Sequence, residues 1–116
     1  LAGYDSPIPI CADEACHTFA DLPGLVGKYQ MINIKLDKTG GLTEALFLAR
    51  AAERIGMQIM VGCMVATSLA MAPAVLLGKF AKFLDLDGPL FLEKDRRNSL
   101  IFENGQVHPP SAALWG

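Results

Sequence analysis

What constrains this chain most is an alternation. Short apolar runs that read as strands alternate with apolar stripes at helical spacing, in the order β-α-β-α-β-α-β. Pro9 to Ala12 is the first strand-like run, and Thr18 to Val26 the first helix, limited by Pro23-Gly24. Tyr29 to Leu36 is the second strand. Gly40-Gly41 makes a loop and Thr43 caps the next helix. There Leu42, Ala45, Leu46, Ala49 and Ala52 recur at three- and four-residue steps, as one buried helical face requires. Gly56 stands where a C-terminal helix cap belongs. Gln58 to Met64 is the third strand, Ser68 to Phe80 the third helix and Lys82 to Leu86 the fourth strand. This order predicts an α/β fold, a parallel sheet with helices outside it. Beyond it, Ser99 to Phe102 and Gln106 to His108 flank Asn104-Gly105, a hairpin signal. After Pro109-Pro110, Ser111 to Gly116 reads as an extended tail.

Residues 59 through 78 carry no charge, a run of twenty, which is long enough to span a bilayer. Gly62, Thr67, Ser68 and Pro73 interrupt it. Thr67-Ser68 reads as an N-cap pair that divides the run into a strand and a helix, with Pro73 near the helix start. A buried strand–helix pair is the better reading, so no membrane partner is expected. The chain's 116 residues are one domain's length, and 52% apolar residues suffice for a packed core. Ten Lys+Arg against 12 Asp+Glu leave no basic surface for nucleic acid. Three cysteines make no disulfide framework and point to a reducing, cytoplasmic setting. The chain opens on Leu1 with no secretory leader, which suggests a fragment of a longer protein.

Side chains alternate faces along a strand. Cys11 and Asp13 share a face at the end of the first strand, as do Asn33, Lys35 and Asp37 at the second, and Phe83, Asp85 and Asp87 at the fourth. Three strands thus end in charge. A parallel strand covered on both faces should be apolar, and an unpartnered ion buried there costs several kcal/mol. A shared polar site at the carboxyl ends of the strands removes that cost, and parallel α/β folds place their sites there.

Other constellations are weaker. Cys11, Cys16, His17 and His108 match no common zinc spacing. No activating motif surrounds Cys63, which reads better as a small pocket or core residue. Gly40-Gly41 lacks the rest of a phosphate-binding loop. Lys94 to Arg97 holds three basic residues among acidic neighbours and reads as a solvated loop.

Four stretches together resemble the enolase superfamily in its muconate lactonizing enzyme subgroup, and within it the dipeptide epimerases of the L-Ala-D/L-Glu type. They are Pro9-Ile10-Cys11-Ala12-Asp13-Glu14, Ile32-Asn33-Ile34-Lys35-Leu36-Asp37-Lys38-Thr39-Gly40-Gly41-Leu42, Met60-Val61-Gly62-Cys63-Met64 and Asp85-Leu86-Asp87-Gly88-Pro89. The resemblance implies strands five to eight of a modified TIM-type β/α barrel. Residues 1–89 would form the half-barrel, and 90–116 a hairpin and tail packing on the barrel or on an N-terminal cap domain.

By that resemblance Asp13 matches a carboxylate ligand of a catalytic Mg2+, and Lys35 the acid/base lysine of strand six. Cys63 and Met64 match pocket-lining positions, and Asp85 and Asp87 the pair that receives a substrate ammonium. Glu14 and Asn33 would stand behind these groups. The implied reaction removes a proton from the carbon α to a carboxylate, and the metal stabilises the enolate as a Lewis acid. The family's other two metal ligands and its second lysine come from strands two to four, which this sequence lacks. The isolated chain is therefore expected to be inactive, and to pair with the missing half-barrel and cap or with a second copy. The same chemistry serves muconate cycloisomerase, o-succinylbenzoate synthase and N-acylamino-acid racemase, and a non-catalytic self-associating half-barrel is the alternative from outside enzymology.

Overall fold

The computed structural model describes residues 5–116, so the first residues of the expected half-barrel lie outside the described part. Four strands form one parallel sheet in the order β1-β2-β3-β4: β1 (Cys11–Ala12), β2 (Met31–Ile34), β3 (Gln58–Val61) and β4 (Phe83–Leu84). Register sets Ala12 beside Ile32, Ile34 beside Val61, and Val61 beside Leu84, so the carboxyl ends of all four strands lie along one margin. The alternating sequence therefore gives the parallel sheet it predicts. All four residues of β2 are buried, as a strand covered on both faces must be.

The strands are shorter than the apolar runs. Their ends are cut where a helical turn or an irregular segment takes over the backbone. Lys35 closes β2 and opens a one-turn helix, α2 (Leu36–Thr39), which ends on Gly40 at φ 74°. Gly41, at φ 135°, then caps α3 (Leu42–Arg54), so Thr43 lies inside that helix instead of capping it. The α3 face that meets the sheet is Ala45, Leu48, Ala49 and Ala52, all with no exposed surface. Leu42 and Leu46 sit at its half-buried margin. Small alanines let α3 lie close to β2 and β3, and Leu48 supplies the bulk. The first helix, expected over Thr18 to Val26, is broken into a 3-10 turn (Phe19–Asp21) and α1 (Leu22–Leu25).

The uncharged run divides as expected into β3 and α4 (Ser68–Val75), and no helix among the described residues is long and apolar enough to cross a membrane. Pro73 stands at the sixth position of α4, not near its start. It removes an interior backbone bond, and the helix tightens into a 3-10 segment at Leu76–Phe80.

Strand β4 is only two residues long. Its pairing is prolonged by Lys82 N–H to the Ile59 carbonyl at 2.7 Å and Asp85 N–H to the Val61 carbonyl at 2.8 Å. Phe83 and Leu84 are exposed on this edge, and among the described residues no further strand pairs with β1 or β4 on its open side. The C-terminal hairpin forms as expected from β5 (Phe102–Glu103) and β6 (Gln106–Val107), with Asn104 and Gly105 both at positive φ. Leu100 joins the core, and Phe102, Val107 and Leu114 pack against it. The tail is a turn, not extended: the Leu114 and Trp115 N–H groups both donate to the Ser111 carbonyl at 3.0 Å.

Candidate active site

Asp13 follows β1, Lys35 follows β2, Cys63 and Met64 lie beyond β3, and Asp85 follows β4. All therefore project from the carboxyl margin of the sheet, and two charge clusters form there.

The first is centred on Asp13. Lys35 Nζ donates to Asp13 Oδ2 at 2.9 Å, and Lys38 Nζ donates to Oδ1 at 2.7 Å. Lys38 also reaches the Asp13 carbonyl at 2.6 Å and the Asn33 carbonyl at 3.0 Å, which uses all three of its protons. The spacing of Lys35 and Lys38 follows from local structure. Lys35 ends a strand and Lys38 lies one turn on in α2, so both ammoniums turn back toward β1. Burial raises the Asp13 pKa, but the bonds and charges of Lys38 and Lys35 outweigh it and hold the carboxyl below its ordinary value. Its bond to Asp13 in turn raises the Lys35 pKa, against a smaller opposing effect of burial. Paired in this way, Lys35 is a firmly held ammonium. The sequence motif contains Lys38 without assigning it a role. Its three-residue offset from Lys35 is the signal that could have found it.

The second cluster is Asp85 with Asp87. Burial, the Asp87 charge and a hydrogen bond shared with Asp87 all raise the Asp85 pKa, while Lys35 acts weakly in the other direction. The two clusters therefore feel each other across the mouth. Cys63 lies between them, within the fields of Asp85, Asp87 and Lys35. Burial raises its thiol pKa and the Gly88 amide partly opposes this, so it is no activated nucleophile. Burial also raises Cys11, with Asp13 adding to the effect, and pushes Cys16 up to about 11.

Glycines let the loops of the site close together. A Cβ on Gly62 would stand 2.7 Å from Asn33 Oδ1, and one on Gly88 would stand 2.5 Å from the Met64 carbonyl oxygen and 3.1 Å from Cys63 Sγ. The turn after Asp87 thus rests directly on the loop after β3. A cleft of about 320 Å³ opens beside Asp85 and Asp87, walled by Leu84, Leu86, Phe102 and Val107. It faces the hairpin, not Lys35.

Not every expected residue joins the clusters. The Asn33 side chain is buried against Gly62 with Oδ1 unpartnered, and it is the backbone carbonyl that serves Lys38. Glu14 is exposed and makes no ion pair among the described residues. The Met64 side chain is about half exposed, and Asp37 points to solvent from α2. His108 lies 3.6 Å from Glu103 on the hairpin. Among the described residues no three His, Cys, Asp or Glu side chains cluster where they could hold a metal ion. Magnesium demands octahedral oxygen ligation. A single carboxylate whose two oxygens both accept from ammoniums does not amount to such a site, so these residues alone do not fit a bound Mg2+.

Lysines and carboxylates gathered at the carboxyl margin of four parallel βα units define half of a β/α barrel of the kind that carries its site on that margin. Residues 1–113 match the family model described as Enolase C-terminal domain-like, and the chain belongs to that family. It is 57% identical over its whole length to an N-acetyl-D-glutamate racemase of Pseudoalteromonas sp, of which it covers 37%. It is 51% identical over 93% of its length to the L-Ala-D/L-Glu epimerase of Escherichia coli (strain K12), covering 34% of that protein. An enolase family member from Agrobacterium tumefaciens with homology to dipeptide epimerases, solved with bound sodium and L-Ala-L-Glu, superposes with a TM-score of 0.95. It is 56% identical, matching 99% of this chain and 35% of that one. The chain thus spans about a third of the length of these relatives.

Proposed function

We propose that this chain is the C-terminal half-barrel of a dipeptide epimerase, an isomerase that moves a proton on and off the carbon α to a carboxylate. The observation that supports this is that two lysines bound to Asp13 and a pair of carboxylates without an ion-pair partner among the described residues stand at one margin of the sheet. Lys35 is the proton carrier for one face of the substrate. Asp85 and Asp87 receive a free α-ammonium, whose charge replaces their mutual repulsion with charge-assisted hydrogen bonds. Asp13 would contribute one carboxylate to a Mg2+ centre only when ligands from outside this chain complete it. Cys63 and Met64 line the substrate pocket. Residues 1–89 are the half-barrel and 90–116 the appended hairpin and tail.

The partner is a segment carrying strands one to four and a cap, and its strands close the open edges of β1 and β4. Unpaired parallel edges are a liability in an isolated chain. The test is complementation. The 116-residue chain is assayed for L-Ala-D/L-Glu epimerisation alone and mixed with a segment supplying strands one to four. Activity in the mixture and none in the chain alone is the expected result. Turnover by the chain alone, or stable homodimers that take up neither the segment nor magnesium, would overturn it.

One observation favours a second substrate reading. The relative at 57% identity is named for N-acetyl-D-glutamate, whose amide nitrogen carries no charge. An acylated substrate would leave Asp85 and Asp87 without their cation. Turnover of N-acetylglutamate and not of the free-amine dipeptide would transfer the assignment to that substrate.

A further inference from the structure

The chain between α4 and the C-terminal hairpin carries β4 and the Asp85/Asp87 pair, and its two ends are tied together. Asp95 Oδ1 accepts from Ser68 N–H at 2.9 Å, and Asp95 Oδ2 accepts from the Ser68 hydroxyl. The same hydroxyl oxygen accepts from Leu100 N–H at 2.9 Å, and Asp95 Oδ1 also accepts from its neighbour Arg96 N–H at 2.7 Å. Ser68 has no exposed surface and Leu100 is buried. The knot therefore cannot be replaced by water without opening the core.

Ser68 is the first residue of α4, where an unpaired N–H needs an acceptor and a negative charge is favoured. The preceding Thr67 makes no side-chain cap, so Asp95 supplies it from the far end of the loop. From Ser68 the path to the acidic pair is short. Residues 62–67 lead back to β3, and in them the Met64 carbonyl and Cys63 Sγ stand against Gly88, the residue after Asp87. A loop that drifts at Ser68 moves its own contact with that turn.

Resting on the epimerase reading above, we propose that Asp95 is a positioning residue for the ammonium end of the substrate pocket. Through Ser68 it holds the loop after β3, and through that loop it fixes the turn that carries Asp87.

The test has two arms. In the 116-residue chain, Asp95→Ala and Ser68→Ala are compared with the parent by residue-resolved amide hydrogen exchange. The Ser68, Leu100 and Leu90 amides, the last bonded to the Asp87 carbonyl, should exchange about tenfold faster or more, with Met31–Ile34 unchanged. In the complemented assembly, Asp95→Ala should raise KM for L-Ala-D/L-Glu about tenfold and leave kcat within about threefold. Asp95→Asn, which keeps an acceptor for Ser68 N–H, should recover most of that loss. Faster exchange spread equally over β2, an unmoved Leu90 amide, or an unchanged KM would overturn the proposal. If no assembly turns over the dipeptide, the epimerase reading fails, and the exchange arm still decides whether Asp95 holds the Asp87 turn.

Discussion

The two charge clusters at the sheet margin are opposites. Around Asp13, one carboxylate meets two ammoniums, all three Lys38 protons are used and the carboxylate charge is matched within the chain. At Asp85 and Asp87, two carboxylates stand together with no cation in contact among the described residues, and burial and the Asp87 charge make Asp85 hold its proton more tightly than an ordinary aspartate. A satisfied cluster fixes structure and holds a proton ready. An unsatisfied one is energetically open to a ligand of the missing sign. On the proposed reading, one margin carries both a proton carrier and a receptor for positive charge, and the substrate class follows from the second.

The sharpest way to break that division of labour is to remove the proton carrier alone. In the complemented assembly, Lys35→Met should lower kcat by about a thousandfold or more, with dipeptide affinity by calorimetry little changed. A comparable loss of affinity would mean that Lys35 binds and does not carry.

The next largest effect should come from the other side. Asp85→Asn combined with Asp87→Asn should raise KM for a free-amine dipeptide by about 10- to 100-fold, the loss expected of hydrogen bonds to a charged group. The same variant should leave an N-acylated substrate nearly unaffected. Equal effects on both would erase the distinction between the clusters.

Gly88→Ala probes the support beneath the acidic pair. A methyl group there meets the Met64 carbonyl oxygen, so the denaturant midpoint should fall by the equivalent of about 1–3 kcal/mol. The Asp13 knot, on other loops, should keep its geometry.

The smallest effect concerns acid. Burial raises the Asp95 pKa, but the Ser68 hydroxyl and the Ser68 and Arg96 amides hold it below its ordinary value of 3.8. Because the folded pKa is the lower one, its stabilisation is whole above 3.8 and fades as pH falls through the folded value. The Leu100 amide should therefore lose protection at acid pH before the Met31–Ile34 amides do. Simultaneous loss would place the first acid-labile group elsewhere.

Much of this was legible in the sequence. Alternation of strand-like and helical runs gives the parallel order directly, because burial on both faces imposes it. Charges after three strands indicate a margin site, because isolated ions are too costly inside. What the sequence conceals is tertiary. Lys38 depends on a one-turn helix that ends β2 earlier than its apolar run suggests. The capping of α4 comes from Asp95, in a stretch that reads as solvated, and no local pattern links residues 27 positions apart. The interior Pro73 and the turned tail depend on packing that propensity does not report.

Proton exchange with solvent tests the central claim most directly. L-Ala-L-Glu and L-Ala-D-Glu are each incubated in D2O with the complemented assembly, and deuterium at the glutamyl α-carbon is followed by mass spectrometry. The account predicts incorporation from both epimers with the parent chain and, with Lys35→Met at saturating dipeptide, loss of incorporation from the one epimer whose α-proton faces Lys35. Incorporation from both epimers that survives the loss of Lys35, or its absence in a parent assembly that binds the dipeptide, would contradict it.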